Sequence, residues 1–408
     1  MEKRELELYV HIPFCVKKCA YCDFLSAPAG EREIHAYTDA LIHEIRARGE
    51  NHKDYRVRTV FLGGGTPSVL SGGDAARIFR ALKKSFDIAE NPEITLEVNP
   101  GTVTEEKTAA WKNAGINRIS IGLQSVNDRE LKMLGRIHTF REFLNTWKLV
   151  RRAGFNNVSI DLISAIPGQT VQSWERTLRT VAELGPEHIS AYSLIIEEGT
   201  PFYTLYGDGK ENAGDSSFPP LPDEDEDREI YQRTASVLNE YGYHRYEISN
   251  YAREGYECRH NLGYWERKEY LGLGLGASSL IRECRFHNTA DMEKYMHVYG
   301  SGGKAAEGEE NSACSCMKTE EQNSTLEEIE KLSVEDQMEE FMFLGLRKTA
   351  GISPEDFRRS FDRNIMDVYG EKLIKLEKQG LIRNSGARIR LTERGTDISN
   401  YVFSEFIF

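Results

Sequence analysis

Leu6-Glu-Leu-Tyr9-Val-His11-Ile-Pro13-Phe14-Cys15-Val-Lys-Lys-Cys19-Ala-Tyr21-Cys22-Asp-Phe24 is an apolar stretch that runs straight into three cysteines. It is the first of a series. Short strand, polar or glycine-rich loop and helix repeat as far as about residue 198. Strands are expected over 6–12, 59–62, 94–98, 118–122, 158–163 and 189–196. Helices are expected over 37–48, 74–85, 105–114, 140–153 and 171–184. Gly49, Gly115, Gly154 and Gly185 each follow a helix, as helix C-termini prefer. Alternating strands and helices imply parallel strands joined by crossover helices. Six units predict an α/β protein built on a partial (β/α)6 barrel. A doubly wound sheet is the competing arrangement, because periodicity does not encode strand order.

The chain has 408 residues, 39% of them hydrophobic, enough for a large core and more than one domain. No apolar run is long enough to span a bilayer. The largely charged first eight residues lack the apolar core of a signal peptide, so a cytosolic location is expected. A formal net charge of −13 predicts no general affinity for nucleic acid. Seven cysteines, an odd number, argue against a disulfide framework.

Cys15, Cys19 and Cys22 need a chemical reason for their clustering. Thiolates are the usual ligands of iron–sulfur clusters, and one short loop can hold several irons. Three cysteines leave one iron of a cubane free for a small chelating molecule. Zinc is the competing reading, but a structural zinc site wants four ligands, and His11 could join only with awkward local geometry. Three packed, inert thiols are the third reading. Further polar residues fall in register with this loop. Gly63 to Thr66 follow strand two, Glu97 ends strand three, Gln124 follows strand four and Asp161 lies in strand five. In (β/α) barrels the C-terminal ends of the strands carry the chemistry.

The domain organisation expected is a core barrel over 1–230, a smaller α/β extension over 231–304, an acidic linker over 305–331 and a C-terminal domain over 332–408. Residues 207–228, with the acidic run Asp223 to Asp227, read as a solvated loop. Residues 305–330 hold eight acids and one lysine, and Cys314 and Cys316 inside them read as exposed bystanders. In the C-terminal domain Ser333 and Asp336 suit a capping box, and Ser353-Pro354 suits a second helix start. Segments 381–384 and 387–391, split by Ser385-Gly386, read as a hairpin. Helices plus a hairpin suggest a winged-helix-like unit. Its 13 Lys/Arg against 12 Asp/Glu over 331–402 are too balanced for a DNA-binding face, so packing or protein contact is expected.

The C-x3-C-x2-C spacing resembles that of the radical-SAM superfamily. Tyr9-x-His11-Ile-Pro13-Phe14-Cys15 resembles the oxygen-independent coproporphyrinogen III oxidase group within it, and the likeness covers most of the chain. The resemblance implies a [4Fe–4S] cluster on Cys15, Cys19 and Cys22, with S-adenosylmethionine chelating the unique iron. The reduced cluster would pass it an electron, releasing methionine and a deoxyadenosyl radical. Tyr9 and Tyr21 match aromatic positions beside cluster and cofactor. Gly64, Gly65 and Thr66 match the glycine-rich loop at the cofactor's methionine end. Glu97, Gln124, Arg136 and Asp161 match polar positions, some of which contact a second S-adenosylmethionine in the oxidases. The residues alone also allow an internal Arg136–Asp161 ion pair.

Two departures from the oxidases stand out. Phe24 occupies the position of a further cysteine in their Cys-x-x-Cys-x-Cys, and only 14 residues precede Cys15 where they usually have a longer extension. Both features match a sister group of heme chaperones, HemW. His260-Asn261-Leu-Gly-Tyr264-Trp265 matches the HNxxYW motif of that group. The resemblance therefore implies heme as cargo, His260 as a ligand to its iron, and acceptor hemoproteins such as respiratory enzymes as partners. It admits a homodimer. It leaves open whether S-adenosylmethionine is cleaved, and oxidation of coproporphyrinogen III to protoporphyrinogen IX is the alternative activity. The residues themselves equally allow a buried aromatic cluster around a hydrogen-bonded histidine. Cys258 offers a second candidate thiolate. Gly272-Leu-Gly274-Leu-Gly276 lacks the lysine and spacing of a phosphate loop and suits close backbone packing under a cofactor.

Overall fold

The computed structural model describes residues 3–207, 218–300 and 325–408. Six parallel strands come first: β1 Arg4–Ile12, β2 Tyr55–Gly64, β3 Ile88–Val98, β4 Arg118–Gln124, β5 Val158–Ser164 and β6 His188–Ser193. Helices Glu31–Glu50, Gly72–Ser85, Glu105–Ala114, Phe140–Arg152 and Val171–Leu184 make the crossovers. The strands lie side by side in chain order. A doubly wound sheet would reverse direction part-way, so that arrangement is excluded and the winding is that of a partial barrel.

Helices cover one face of the sheet with an apolar layer. Leu6, Leu8, Val10 and Ile12 of β1 point into it and are fully buried. The opposite face, which the barrel encloses, is polar: Glu7, Thr59, Glu93, Arg118, Ser159 and His188 are buried there. Period-two alternation assigns the two faces.

The chain then completes both edges of this core. β7 His244–Arg245 and β8 Asn250–Ala252 extend the β6 edge antiparallel. The chain crosses back to the other edge, where β9 Tyr270–Leu273 pairs parallel with β1, and β10 Ser278–Ile281, β11 Cys284–Asn288 and β12 Leu326–Lys331 follow. Among the described residues the result is a single sheet of twelve strands. The crossing segment carries the helix Arg259–Trp265.

Two expectations need correcting. The acidic run after Asp223 is not loop. Asp223 caps the helix Glu224–Glu240, accepting from the N–H groups of Asp225 and Glu226 at 3.0 and 2.9 Å. Acids in a first turn complement the helix dipole, which composition alone does not reveal. The end of the acidic linker is likewise β12, which buries Leu326 and pairs with β11 while its glutamates face outward. Cys314 and Cys316 lie outside the described residues.

The C-terminal unit has its own apolar core around Met338, Met342, Phe357, Tyr369, Leu373 and Ile389. Helices Val334–Gly345, Pro354–Phe361 and Ile365–Lys378 precede a hairpin of β13 Ile382–Asn384 and β14 Ile389–Leu391. Ser333 and Asp336 form the capping box, with Asp336 N–H to Ser333 Oγ at 3.1 Å and Ser333 N–H to Asp336 Oδ2 at 2.8 Å. Among the described residues no helix is long and apolar enough to cross a membrane.

Candidate functional site

Cys15, Cys19 and Cys22 occupy the loop that leaves β1, and all three are free thiols, partly open to solvent. The loop is held by backbone bonds at both ends: Cys15 N–H to Ala27 O at 3.1 Å and Ala27 N–H to Pro13 O at 3.0 Å. Its middle is pinned by Ala20 N–H to Leu134 O at 3.0 Å. The Cys22 thiol is pushed up by burial and further by the nearby Cys19 and Cys15 sulfurs, so the three share one electrostatic environment. Among the described residues no three His, Cys, Asp or Glu side chains converge as a ready single-ion site. A cubane spreads its thiolate ligands over separate irons, and three half-open thiols in one braced loop suit it.

The glycine-rich turn after β2 packs directly under this loop. Gly65 N–H reaches Ile12 O at 2.9 Å, and Thr66 N–H reaches Phe14 O at 2.7 Å. A Cβ on Gly65 would lie 2.6 Å from Phe14 O and 2.9 Å from Phe14 N. Gly64 has φ +108°, and a Cβ there would meet the His11 ring at 2.4 Å. Gly65→Ala is therefore expected to displace Phe14 and the adjoining Cys15, to cost about 1–3 kcal/mol and to lower the iron and sulfide taken up on reconstitution. Wild-type iron content and melting temperature in this variant would show that the turn shifts harmlessly.

A polar chain runs from this turn to the cysteines. Cys15 Sγ is 3.3 Å from Thr66 Oγ1, which accepts from Asn99 Nδ2 at 2.7 Å. Arg136 Nη2 donates to Asn99 Oδ1 at 2.6 Å and to Gly122 O at 2.8 Å, and its Nη1 reaches Cys19 Sγ at 3.5 Å. Gln124, held at φ +71° by a bulge in β4, stands over Gly122 beside Asn99 and Arg136. Burial raises the Tyr21 hydroxyl above its ordinary value, against the pull of Arg136. Asp161 does not pair with Arg136. Its carboxylate accepts from Ser120 at 2.8 Å and Ser159 at 3.2 Å, deeper in the barrel, which removes the proposed internal ion pair. Glu97 is raised to about 8 by its enclosure and by neighbouring Asp161, although the Gly64 N–H opposes the shift. It holds a proton more firmly than an ordinary carboxyl does.

His260 lies at the other end of the interior, towards the N-terminal ends of the strands. The first turn of its helix is clasped by Glu93, which accepts from Arg259 N–H and His260 N–H, both at 3.0 Å. The imidazole is 1% exposed and both nitrogens are engaged, Nδ1 with Thr59 Oγ1 at 2.7 Å and Nε2 with the Tyr264 hydroxyl at 3.0 Å. Burial lowers its pKa to about 3, so it is neutral. Its neighbour Glu7 is raised by burial to about 9 and is neutral too, so their 3.8 Å contact is no ion pair. Gly263 is required by this packing: a Cβ there would lie 1.9 Å from Glu7 Oε1. Cys258 is fully buried, its thiol pushed up to about 12, and donates to Glu93. It is a thiol in the core and offers no thiolate.

A cavity of about 460 Å3 opens between these two places. Its walls come from β1 (Tyr9 and His11), from Leu25 at the end of the cysteine loop, and from Tyr264, Trp265 and Tyr270. Tyr9 and His11 share the inward side of β1, and the Tyr9 hydroxyl is 3.1 Å from His11 Nδ1. Residues 9–181 match the family model described as the radical SAM superfamily, and 332–398 match the HemN C-terminal domain. A protein of Lactococcus lactis subsp. lactis named heme chaperone HemW is 35% identical over 399 residues, which cover 98% of this chain and 96% of that protein. The chain belongs to the HemW family. A second HemW, from Bacillus subtilis, is 34% identical over 403 residues, with 98% of each chain covered. Among solved structures, the radical-SAM coproporphyrinogen III oxidase of Escherichia coli superposes with a TM-score of 0.81 at 24% identity, covering 100% of this chain and 91% of that one. At that identity the likeness speaks for the fold.

Within this HemW-family chain, sequence reading missed Asn99, Phe61, whose ring stacks on His260 with centroids 5.1 Å apart, and the inward-facing Glu7, Thr59, Glu93 and Arg118. Strand parity would have found the last four, since each is an even number of residues from an inward-facing position already singled out on its strand or from the register of the next.

Proposed function

We propose that this protein is a heme chaperone, binding heme in the cavity beside the cysteine loop and passing it to acceptor hemoproteins such as respiratory enzymes. The observation that carries this reading is the aromatic cavity itself. One set of walls comes from the cysteine loop and β1, the other from Tyr264 and Trp265 of HNxxYW, and its size falls in the range of cofactor sites. Flat phenol and indole surfaces suit a porphyrin plane. Phe24, 63% exposed beside the cysteines, stands where the oxidases carry a further cysteine, which weighs against coproporphyrinogen oxidation.

Cys15, Cys19 and Cys22 would hold a [4Fe–4S] cluster. When bound, such a cluster supplies an electron to S-adenosylmethionine. Gly64, Gly65 and Thr66 would offer backbone to the methionine end of that cofactor, flanked by Tyr9, Tyr21 and Glu97. Gln124, Arg136 and Asp161 would bound the rest of its pocket. His260 is one hydrogen bond behind the cavity wall. It can reach a heme iron only when the Tyr264 hydroxyl releases Nε2, and its neutral state suits it to that role.

Titration with hemin tests the reading. The wild-type protein, reconstituted anaerobically, is expected to bind one heme with a defined Soret band. His260→Ala should move that band and weaken binding about tenfold or more. Tyr264→Phe keeps the ring and frees Nε2, so it should bind at least as well as wild type. Absence of stoichiometric binding by the wild type would remove the chaperone reading, and turnover of coproporphyrinogen III would install the oxidase in its place.

A further inference from the structure

Two guanidiniums stand at the rim of the same cavity, and one carboxylate from the C-terminal unit holds both. Arg267 Nε donates to Glu340 Oε2 at 2.7 Å, and Arg285 Nη2 donates to Glu340 Oε1. Arg267 also donates to Glu283 at 2.6 Å. All three residues Arg267, Arg285 and Glu340 line the cavity with Tyr264, Trp265 and Tyr270. The Glu340 side chain is 5% exposed and that of Arg267 10%. A carboxylate in that position, with each oxygen on a different arginine, is bound as a ligand's carboxylate would be. Arg267 also sits at φ +51°, a conformation that costs an L-residue energy and recurs at ligand clamps. Glu340 belongs to the helix Val334–Gly345, which enters from the C-terminal unit.

We infer that Arg267 and Arg285 are the carboxylate-anchoring edge of this cavity, and that Glu340 occupies it as an internal stand-in which a porphyrin propionate displaces. The inference rests on the heme reading and adds to it the part of the cargo that is recognised. The aromatic walls hold the macrocycle and the arginine pair holds its acidic edge. Loading then releases the helix Val334–Gly345 from the core, so the C-terminal unit reports on whether the cavity is filled. An inert ion pair between two units would need no cavity behind it and would be indifferent to the ligand's carboxylates.

The test compares hemin with hemin dimethyl ester, whose propionates are blocked, on the reconstituted 408-residue chain. Wild type is expected to bind hemin about tenfold or more tightly than the ester. Arg285→Gln, at the more exposed of the two arginines, should clearly shrink the difference between hemin and the ester, mainly by weakening hemin, while Arg267 retains the remainder. Glu340→Gln should tighten hemin several-fold. In hydrogen exchange the amides of 334–345 should lose protection when wild type takes up hemin and stay protected with the ester. The acid–ester comparison is made within one protein and does not depend on any variant folding. Equal affinity of wild type for acid and ester, or an Arg285→Gln variant that keeps the full difference, overturns the anchor while heme binding stands. Failure of wild type to bind either form removes the heme reading and the anchor together.

Discussion

Replacing any one of Cys15, Cys19 and Cys22 by serine is expected to abolish the iron–sulfur cluster. A serine hydroxyl ionises far less readily than a thiol and is a poor ligand for cluster iron. Two remaining thiolates cannot hold a cubane whose fourth iron already lacks a protein ligand. Each variant should be colourless after anaerobic reconstitution, with iron and acid-labile sulfide reduced to roughly a tenth of wild type or less. The fold should survive, because the loop is braced by backbone bonds at Cys15 N–H, Ala20 N–H and Ala27 N–H that serine leaves intact. The buried Cys258 and Cys284 supply the control: serine there should leave the cluster content near wild type. Full iron and sulfide in any one triad variant would refute the assigned ligation.

The second large effect concerns stability. Arg118 is 2% exposed in the polar interior of the barrel. Burial works against its charge, but Cys258, Glu93, Tyr246 and Asp161 around it more than offset that and keep it firmly protonated. Arg118→Met keeps much of the volume and removes the cation. Glu93 and Asp161, whose charges both act on Arg118, then lose that common counter-charge. Removing one partner from a buried charged set costs about 3–5 kcal/mol, far more than a surface substitution. The expected result is a large fall in the denaturant midpoint, eased at lower pH, where Asp161 takes up its proton. The sign follows from linkage. Burial already holds the Asp161 carboxyl above its ordinary value against the pull of Arg118, and without Arg118 it moves further up, so the folded state binds more protons and gains on the unfolded one as pH falls. A midpoint unchanged at pH 7 would mean that the interior is already neutral without Arg118.

Sequence reading reached the parts of the site whose residue types are rare in their setting. Three cysteines in one loop and a run of three glycines after a strand have few structural excuses. The inward polar face was harder to see. Glu7, Thr59, Glu93 and Arg118 alternate with Leu8, Val60, Ile94 and Ile119, a pattern that reads as a strand with one solvated face. Only the closing of the sheet turns that face inward. The order of the strands was illegible for the same reason: periodicity gives each strand its faces and says nothing about its neighbours. His260 shows the limit most clearly. Its i, i+4 relation to Tyr264 follows from helix geometry, and the two are hydrogen-bonded. Its burial between Thr59 and Tyr264 depends on contacts some two hundred residues away in the chain.

The pairing of β9 with β1 also has a consequence for how the protein is made. Tyr9 and Val10 find Gly272 and Leu273 as partners, and Leu275 N–H is tied through the Tyr37 hydroxyl to His11 O, at 2.9 Å in each step. The cysteine loop thus leaves the ribosome long before the strand that backs it. At ordinary rates of translation the interval between Cys15 and Gly276 is roughly 13–50 s. During that time three thiols stand on a nascent sheet whose edge is still bare. Iron delivered then would meet a loop without its support, so stable loading is expected only once β9 has emerged and paired with β1.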